Sequence, residues 1–420
     1  MASQIHKTFT TDQVKELLVK YLNKEVERKY IQEILGIGKS RFFEIIQAYR
    51  SDPKTFSVDY KRSCEARRIA PEIKENIMKE LSIDKKAIEN KNVNLYKYNY
   101  SYVQRRLKAK NKQSVSLNTI IQYAKDNDFY LPKRKTPKAH DREVLTTHAG
   151  ELIQHDASYH MWAPDSGVKW ALITSLDDYS RFMLYAKLVE NESTIDHIQA
   201  LQSVVTKYGV PLSYYIDCHA IFRYIKGRDQ RHRSFEKFTD DVDPQWKKVI
   251  KDCQIKPIYA LSPQAKGKVE RPYGWLQDHL IRTCIRENVK DIAHANRILN
   301  WERDQYNYKW IHSTTREIPN RRFNSALEAK KSLFRTWAIP RPFLSYKDIF
   351  AIHIERYIDG YSSVTIKNIT IKLSDVEPRY PVDIRAYPLD KDLYELRFWH
   401  NAKLIKVERL KIPDFWPVHF

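Results

Sequence analysis

The chain changes its hydrophobic periodicity at a basic, proline-bearing segment, residues 131–141 (LPKRKTPKAHD). Before this segment, apolar residues recur at the three-to-four spacing of amphipathic helices. After it, short apolar runs follow one another and then alternate with helical patterns, which is typical of an α/β domain with a mixed sheet. The segment itself is expected to be a linker. The chain is therefore expected to be multidomain, α/β plus β, with helical modules in front of the α/β part.

Residues 1–60 are expected to form a helix-turn-helix DNA-binding domain. Helical patterns cover residues 11–22, 25–35 and 39–50, with Thr11 and Ser40 as expected N-caps. Gly36-Ile37-Gly38 forms a short turn between the second and third patterns, so residues 39–50 become the candidate recognition helix. Lys39 and Arg41 are its candidate DNA contacts. A helical hairpin that binds nothing is the alternative.

A second helical block spans residues 61–132 and is expected to be another DNA-binding domain, with a winged helix as one form of it. Its helical patterns cover residues 71–84, 101–111 and 116–127, and Ser116 is the expected cap of the last one. That last helix is either a second recognition helix or a purely structural one. Residues 133–144 are assigned to the basic linker.

The α/β domain is expected over residues 145–330. Strand patterns cover residues 150–158, 211–217 and 255–260, and two more strands within 168–189 flank an Asp-Asp-Tyr-Ser turn. A helix is expected at 193–209. From Ile349 the chain becomes rich in alternating β patterns, so residues 345–420 are expected to form a small β-barrel of roughly 70 residues.

The charge of the chain indicates a polyanionic partner. Lys and Arg number 73 against 52 Asp and Glu, which gives a net charge of +21. Residues 1–140 contain 30 basic and 16 acidic side chains and hence +14 of that charge. Such a balance favours nucleic acid over an acidic membrane surface. The first third of the chain is therefore the expected anchor on DNA phosphates.

The cysteines and the apolar segments indicate the cellular compartment in which the protein is expected. Cys64, Cys218, Cys253 and Cys284 lie far apart and form no CxxC pair, so neither a zinc site nor a disulfide framework is indicated. A reducing compartment fits this pattern. No run of about 18 apolar residues and no signal-peptide core are visible. We therefore expect a soluble cytoplasmic protein with no membrane partner.

Three acids stand where strands or turns end. Asp156 closes LIQHD, Asp217 closes SYYID after 60 intervening residues, and Glu270 opens a helix after 52 more. Carboxylates at the ends of neighbouring strands can converge at one edge of a sheet, and their hard oxygen atoms suit Mg²⁺ or Mn²⁺. Two such ions can activate an attacking hydroxyl and stabilise the leaving oxygen in phosphoryl transfer.

Basic residues surround the third acid. Lys266, Lys268 and Arg271 flank Glu270 in SPQAKGKVERPYG and are candidate contacts to the phosphate backbone. Pro272 follows Glu270 by two positions. Because proline is tolerated only in the first turn of a helix, we expect the helix to begin close to Glu270. The alternative is a helix that begins at Gln264 and kinks at Pro272.

Five sequence motifs occur in the order seen in the integrase catalytic core of the retroviral-integrase superfamily. They are IQHDAS, LITSLDDYSRFMLYAKL, YGVPLSYYIDCHAIF, ALSPQAKGKVERPYGWLQDHL and YNYKWIHSTTREIPNRRF. Over residues 145–325 the chain most resembles the DDE transposases of bacterial insertion sequences. The resemblance implies a ribonuclease H-like fold and an Asp-Asp-Glu triad at Asp156, Asp217 and Glu270. It also implies helix-turn-helix modules on element ends and a C-terminal barrel that touches DNA.

The chain departs from the family pattern after the second acid. Cys218 and His219 follow Asp217, and the interval before Glu270 is longer than in retroviral enzymes. That interval contains other acids, Asp240, Asp241 and Asp243, which we interpret as part of a solvated loop.

Other residues near the triad have structural interpretations. Asp177 and Asp178 are assigned to a hairpin turn. His155 should point to the face of its strand opposite Asp156 and pack there. The tryptophans Trp275, Trp301 and Trp310 are expected in the core.

The sequence thus predicts a DNA transposase that uses two divalent ions, Mg²⁺ or Mn²⁺. Cleavage of element ends would be followed by strand transfer into target DNA, which is DNA recombination by transposition and integration. Its partners would be double-stranded DNA, both terminal repeats and target, and further copies of itself in a dimer or tetramer. Two alternatives remain: a domesticated DNA-binding regulator without catalysis, and a ribonuclease H-like nuclease.

Overall fold

The computed structural model describes residues 5–59, 69–132, 146–216, 245–259, 270–374, 376–390 and 392–412, with residues 270–272 described by their backbone. The chain divides into two compact units, Met1–Pro71 and Glu72–Phe420.

The first unit is helical, as the sequence predicts. Its helices are α1 (Thr11–Leu22), α2 (Arg28–Leu35) and α3 (Lys39–Ser51). Their apolar positions meet in one small core that contains Val14, Leu18, Ile31, Leu35, Phe42, Ile45 and Ile46. Gly36 ends α2 with a φ of 63°, a left-handed conformation that glycine adopts without steric cost. The turn between α2 and α3 therefore lies where its glycines predict.

The expected N-caps of the first unit were wrong by one or two residues. Thr10, rather than Thr11, caps α1: its hydroxyl accepts the N–H of Gln13 at 3.3 Å, while the Gln13 side chain accepts the N–H of Thr10 at 2.9 Å. This reciprocal pair is a capping box. Gly38, rather than Ser40, precedes α3 and provides no side-chain cap. Ser40 is already the second residue of the helix.

The second unit begins with helices that match the predicted second helical block. They are α4 (Pro71–Glu89), α5 (Tyr100–Lys110) and α6 (Leu117–Asp126). Ser116 caps α6 as expected, because its hydroxyl accepts the N–H of Thr119 at 3.1 Å. The loop between α4 and α5 buries Val93 and Leu95.

A mixed five-stranded sheet lies at the centre of the described part of the second unit and confirms the α/β prediction. Its strands are β1 (Ile153–His160), β2 (Trp170–Asp177), β3 (Met183–Val189), β4 (Ser213–Ile216) and β5 (Lys256–Tyr259). They are arranged in the order β3-β2-β1-β4-β5. β2 is antiparallel to both of its neighbours, β1 and β3, whereas β4 is parallel to both β1 and β5.

Helices cover both faces of this sheet. They are α7 (Thr194–Tyr208), α8 (Gln245–Asp252), α9 (Glu270–Arg286), α10 (Ile292–Lys309) and α11 (Pro319–Glu328). Residues of α7 and α8, such as Leu201 and Trp246, join one buried cluster with Tyr214. Residues of α9 and α10, such as Leu276 and Leu299, join another with Leu172 of β2. Alternate residues of a strand point to opposite faces of the sheet. Because helices cover both faces, β2 is buried along its whole length.

The C-terminal part is β-rich, as its alternating pattern predicts. A short helix, α12 (Tyr346–Ile349), precedes β6 (Ile352–Tyr357), β7 (Ser363–Ile366), β8 (Ile369–Lys372), β9 (Pro381–Pro388), β10 (Leu393–His400) and β11 (Lys403–Lys411). Four of these strands form an antiparallel sheet in the order β11-β10-β9-β6, and β7 pairs with β8. Closure into a barrel remains a prediction.

Two of the four cysteines fall within the described chain. Cys253 and Cys284 are buried free thiols, and burial raises the pKa of both above the ordinary thiol value. Cys64 and Cys218 lie outside the described residues. Among the helices that the structure describes, none combines the length and the apolar character needed to cross a membrane.

Candidate active site

Asp156 lies in the middle of β1, the central strand of the sheet. Its side chain belongs to a half-buried residue, whereas the preceding His155 is 1% exposed. Successive strand residues point to opposite faces of the sheet, which separates these two side chains as the sequence predicts. Asp156 is therefore held by a strand with hydrogen-bonded neighbours on both sides.

Tyr273 connects the beginning of α9 to Asp156. Its hydroxyl donates a hydrogen bond of 2.6 Å to the backbone carbonyl of Asp156 and accepts one of 2.8 Å from the Thr174 hydroxyl. Thr174 is the residue of β2 directly opposite Asp156. The first turn of α9, which begins with Glu270, is thereby placed beside Asp156.

Sequence reasoning missed Tyr273 and Thr174. The signal for Tyr273 was nevertheless present, because it follows Glu270 by three positions in ERPY. Residues three apart lie on the same side of a helix. A tyrosine on the side of the helix that carries the third acid could therefore have been assigned a contact near the first acid. Thr174 had no comparable signal, since its role depends on the β1–β2 register.

The other predicted triad members are described in part or not at all. Glu270 is the first residue of α9 and its backbone is described, as are those of Arg271 and Pro272. Pro272 thus lies in the first turn of the described helix, where proline is tolerated. Asp217, Lys266 and Lys268 lie outside the described residues, as do the alternative acids Asp240, Asp241 and Asp243.

The register of β1 and β4 relates the first two acids along their strands. Gln154 is the partner of Tyr215 in this parallel pair. Asp156 follows Gln154 by two positions, and Asp217 follows Tyr215 by the same number. β4 is described as far as Ile216, the residue just before Asp217.

The two candidate DNA contacts of the first unit lie on α3. Lys39 is the exposed first residue of this helix. Arg41 is also exposed and forms an ion pair of 2.7 Å with Glu44 one turn later. Phosphate contact by Arg41 would compete with this pair, which is weak because both side chains are largely exposed to solvent.

Asp177 is the last residue of β2 and Asp178 the first of the turn to β3, which places both at the predicted hairpin turn. Asp177 is buried and accepts hydrogen bonds from the N–H groups of Gly150 at 2.8 Å and Ser180 at 2.9 Å. Burial raises the pKa of Asp177 to about 6. Asp178 is also buried and forms an ion pair of 2.6 Å with Arg181. Both carboxylates therefore stabilise the turn.

His155 takes part in a buried polar chain on the face of β1 opposite Asp156. Its Nδ1 lies 2.9 Å from the Ser175 hydroxyl, and its Nε2 lies 2.8 Å from Nδ1 of His197 on α7. His197 in turn lies 2.8 Å from a carboxylate oxygen of Glu192. Burial, followed by the proximity of His197, holds the pKa of His155 well below its ordinary value. The predicted packing role of His155 is thus accompanied by a hydrogen-bonding role.

The three tryptophans near α9 differ in exposure. Trp275 stacks on His279 with ring centroids 4.0 Å apart, and Trp310 meets Trp275 edge-on at 6.0 Å. Trp301 is 42% exposed and lies under the guanidinium of Arg105 at 5.2 Å. The core assignment of Trp301 was therefore wrong, because α10 turns this residue toward solvent.

Of the predicted metal ligands, the structure describes Asp156 with its side chain and Glu270 by its backbone. Within the ranges that the structure describes, no group of three or more His, Cys, Asp or Glu side chains is placed to hold a metal ion. The predicted donor set is Asp156, Asp217 and Glu270, and only the first of these has a described side chain. Three carboxylates form the hard oxygen donor set that Mg²⁺ and Mn²⁺ prefer.

Comparison with known proteins confirms the predicted resemblance to transposases. No family model matches the chain. The chain is 28% identical to the "Putative transposase y4bF" of Sinorhizobium fredii over 194 residues, which are 46% of this chain and 41% of the relative. It is 27% identical to the transposase for insertion sequence IS1202 of Streptococcus pneumoniae over 304 residues, 70% of this chain and 62% of the relative. The matches therefore span less than two thirds of each relative.

Solved structures with a similar arrangement come from retroviral integrases. The HTLV-2 integrase catalytic core domain in complex with magnesium matches 43% of this chain and 98% of its own, at 17% identity and a TM-score of 0.29. The simian T-cell lymphotropic virus intasome in complex with the PP2A regulatory subunit B56 gamma matches 73% and 94%, at 13% identity and a TM-score of 0.35.

Proposed function

We propose that this chain is a DNA transposase that cleaves the ends of a mobile element and joins them to target DNA. The observation that carries the proposal is the Tyr273–Asp156 hydrogen bond, because it brings the first turn of α9 to the central strand. The sequence similarity to two transposases supports the same function. The strand order β3-β2-β1-β4-β5 supports assignment of residues 145–330 to a ribonuclease H-like core.

Asp156, Asp217 and Glu270 are the proposed catalytic carboxylates and the proposed ligands of two Mg²⁺ or Mn²⁺ ions. The β1–β4 register supports the first pair, since each acid stands two positions beyond the paired residues Gln154 and Tyr215. The bond from Tyr273 supports the position of the third. When bound, the ions would supply Lewis-acid stabilisation of the attacking and leaving oxygens.

The remaining predicted residues would bind and orient DNA. Lys266, Lys268 and Arg271 are proposed to hold the phosphates next to the reacting bond. Lys39 and Arg41 on α3 are proposed to contact the element end within a helix-turn-helix domain of residues 1–60. Residues 61–132 would form the second DNA-binding domain, residues 133–144 the linker and residues 345–420 a barrel that touches DNA.

The proposed reaction has two phosphoryl-transfer steps, and in each of them one P–O bond forms as another breaks. In the first, water attacks a phosphodiester at the element end, a P–O bond to the water oxygen forms as the P–O bond to the 3′ oxygen breaks, and a 3′-hydroxyl and a 5′-phosphate are released. In the second, that hydroxyl attacks a target phosphodiester, forming one P–O bond while another breaks. The second step requires two ends held together, so we propose a homo-oligomer, a dimer or tetramer, assembled on DNA. Its DNA substrate would place the protein at the bacterial nucleoid.

A strand-transfer assay tests this function against the alternatives. The full chain is incubated with Mg²⁺, labelled DNA that carries the ends of its element, and a target plasmid. Joined products together with cleaved ends are the expected result. Cleavage without joining would instead identify a ribonuclease H-like nuclease. Binding without any reaction would identify a DNA-binding regulator.

A further inference from the structure

Buried ion pairs connect α4, the first helix of the second unit, to α9. Asp84 of α4 is 0% exposed and forms ion pairs with both Arg282 and Arg286 of α9, the latter at 2.7 Å. Both arginine side chains are themselves at most 1% exposed. Burial opposes the charge of Arg282, but the carboxylates of Asp84 and Asp278 outweigh it and raise its pKa.

A second layer of ion pairs widens this contact. Glu80 of α4 lies 2.5 Å from Arg286 and 3.2 Å from Arg106 of α5. Arg106 also lies 3.1 Å from Glu287, which immediately follows α9. We refer to Glu80, Asp84, Arg106, Arg282, Arg286 and Glu287 as the α9 brace. The brace joins α4 and α5 to α9 through charges on all three elements.

Hydroxyl hydrogen bonds and a further ion pair extend the contact to α10. The hydroxyls of Tyr102 on α5 and Thr283 on α9 lie 2.7 Å apart, and Thr283 donates a bond of 2.6 Å to Glu302 on α10. Arg105 of α5 holds the same Glu302 carboxylate through two bonds of 3.0 and 3.1 Å. Four helices therefore share one polar network.

Physical chemistry makes this contact rigid. Separation of α4 and α5 from α9 would leave several buried charges without their partners, which is strongly unfavourable. The three helices are therefore expected to move as one body. The far end of α9 touches Asp156 through Tyr273. With 17 residues, α9 is about 25 Å long, so it spans from the brace to the proposed catalytic carboxylates.

The helices held by the brace present a DNA-compatible surface. Exposed basic and amide side chains of α5, the following turn and α6 are Lys108, Lys112, Asn118, Gln122 and Lys125. Lysines suit phosphates, and Asn and Gln can read adenine edges. Lys108 lies on α5, which is part of the brace, and α5 holds the segment before α6, since the Gln104 side chain donates a hydrogen bond of 2.7 Å to the backbone carbonyl of Val115.

We propose that the α9 brace holds α4–α6 at a fixed distance from Asp156 and Glu270 of the same chain. DNA bound by α4–α6 is thereby measured as by a ruler, so that one particular phosphodiester of the element end reaches these two carboxylates. This inference rests on the proposed transposase function. In this role the brace residues are positioning residues, which act through α9 and do not touch the reacting atoms.

The test compares three forms of the full chain: wild type, Arg106→Gln and Asp304→Asn. Arg106→Gln removes the ion pairs to Glu80 and Glu287 while Asp84 keeps both of its arginine partners. Asp304→Asn is the matched control, since it removes an ion pair of 3.7 Å with Arg303 on α10 that lies outside the brace. Cleavage of end-labelled duplex with the terminal repeats is mapped at nucleotide resolution in Mg²⁺, and hydrogen exchange is measured on the same proteins.

The wild type and the control are expected to cut at one phosphodiester. Arg106→Gln is expected to increase cuts at neighbouring phosphodiesters at least tenfold, while α4, α5 and α9 in the wild type exchange with a common protection. A single unshifted cut in Arg106→Gln would overturn the ruler. Exchange in α4 and α5 that is a hundredfold faster than in α9 would overturn the brace itself. If the wild type cuts nothing, the proposed function fails, and the exchange pattern still decides whether the brace exists.

Discussion

The hydroxyl of Tyr273 donates a hydrogen bond of 2.6 Å to the backbone carbonyl of Asp156. The two residues are far apart in sequence, and the bond joins the first turn of α9 to the central strand β1. Thr174 completes the contact by donating to the same tyrosine oxygen at 2.8 Å. Because the bond uses the backbone of Asp156, its carboxylate does not contribute to this contact.

Substitution of Tyr273→Phe removes the hydroxyl and keeps the ring. Thr174 loses its acceptor and the Asp156 carbonyl loses this donor, so the free energy of unfolding should fall by about 1–2 kcal/mol. The first turn of α9 would also lose its tie to β1. We expect the rate of DNA cleavage in Mg²⁺ to fall about tenfold, a loss worth about 1.4 kcal/mol of barrier. Urea unfolding and single-turnover cleavage measure the two effects.

Tyr306→Phe is the matched control. Tyr306 lies on α10 and is 1% exposed, and its hydroxyl has no hydrogen-bond partner among the residues that the structure describes. Removal of this hydroxyl should leave cleavage unchanged and cost less than about 0.5 kcal/mol of stability. Equal effects of the two substitutions would show that the Tyr273 bond has no special role.

Gln245 provides a test of the contact between α8 and the C-terminal sheet. Its side chain donates to the backbone carbonyl of His353 at 2.9 Å and accepts the N–H of the same residue at 2.8 Å. Gln245→Ala leaves both buried backbone groups unpaired, so we expect a loss of about 2–3 kcal/mol in unfolding free energy. Gln122→Ala, on the exposed face of α6, should cost less than about 0.5 kcal/mol. A similar loss in both variants would contradict the assigned contact.

Asp177 should make stability depend on pH in an unusual direction. Burial raises its pKa from the ordinary value of 3.8 to about 6, so between these pH values the folded chain binds a proton that the unfolded chain has released. Its contribution to stability is therefore present below pH 4 and is lost as pH rises to about 6, by roughly 3 kcal/mol.

The difference between wild type and Asp177→Asn isolates this contribution, because asparagine does not titrate. The unfolding free energy of the wild type, relative to the variant, should fall between pH 4 and 6. The exposed Asp165→Asn should show no such difference. Parallel pH profiles for wild type and Asp177→Asn would contradict the raised pKa.

The first helix distinguishes two adjacent threonines. Thr10→Ala removes the capping box of α1 and should destabilise that helix by about 1 kcal/mol. Thr11 instead lies 3.3 Å from the Ser57 hydroxyl, so Thr11→Ala should cost about half as much or less. Hydrogen exchange of the α1 amides in the full chain measures both. A larger effect at Thr11 would restore the sequence-based assignment of the cap.

Periodicity was sufficient to predict much of the fold. The 3.6-residue pattern located α1, α3 and α7 within a residue or two, because each helix buries one apolar face. The strands of the central sheet were found from short apolar runs bounded by turn residues. Caps were less accurate, since Thr10 and Thr11 are chemically equivalent and only the backbone conformation distinguishes them.

Contacts between residues that are distant in the chain could not be predicted from sequence patterns. The helical pattern of α4 does not mark Asp84 as buried, and only the packing of α4 on α9 shows that it lies between Arg282 and Arg286. Tyr273 could have been placed near the third acid by helical spacing, but its partner on β1 depends on tertiary structure. For the same reason Trp301 was assigned to the core although α10 exposes it.

The most direct test of the account is cleavage and strand transfer by Glu270→Gln in Mg²⁺, with binding to the labelled element end measured on the same protein. Glutamine keeps the size of the side chain and removes its charge. Asp165→Asn serves as the control for loss of one acidic charge. We expect Glu270→Gln to bind the element end with unchanged affinity and to lose both cleavage and joining, by at least a thousandfold. Cleavage and joining at the wild-type rate would contradict the assignment of Glu270 to the catalytic triad.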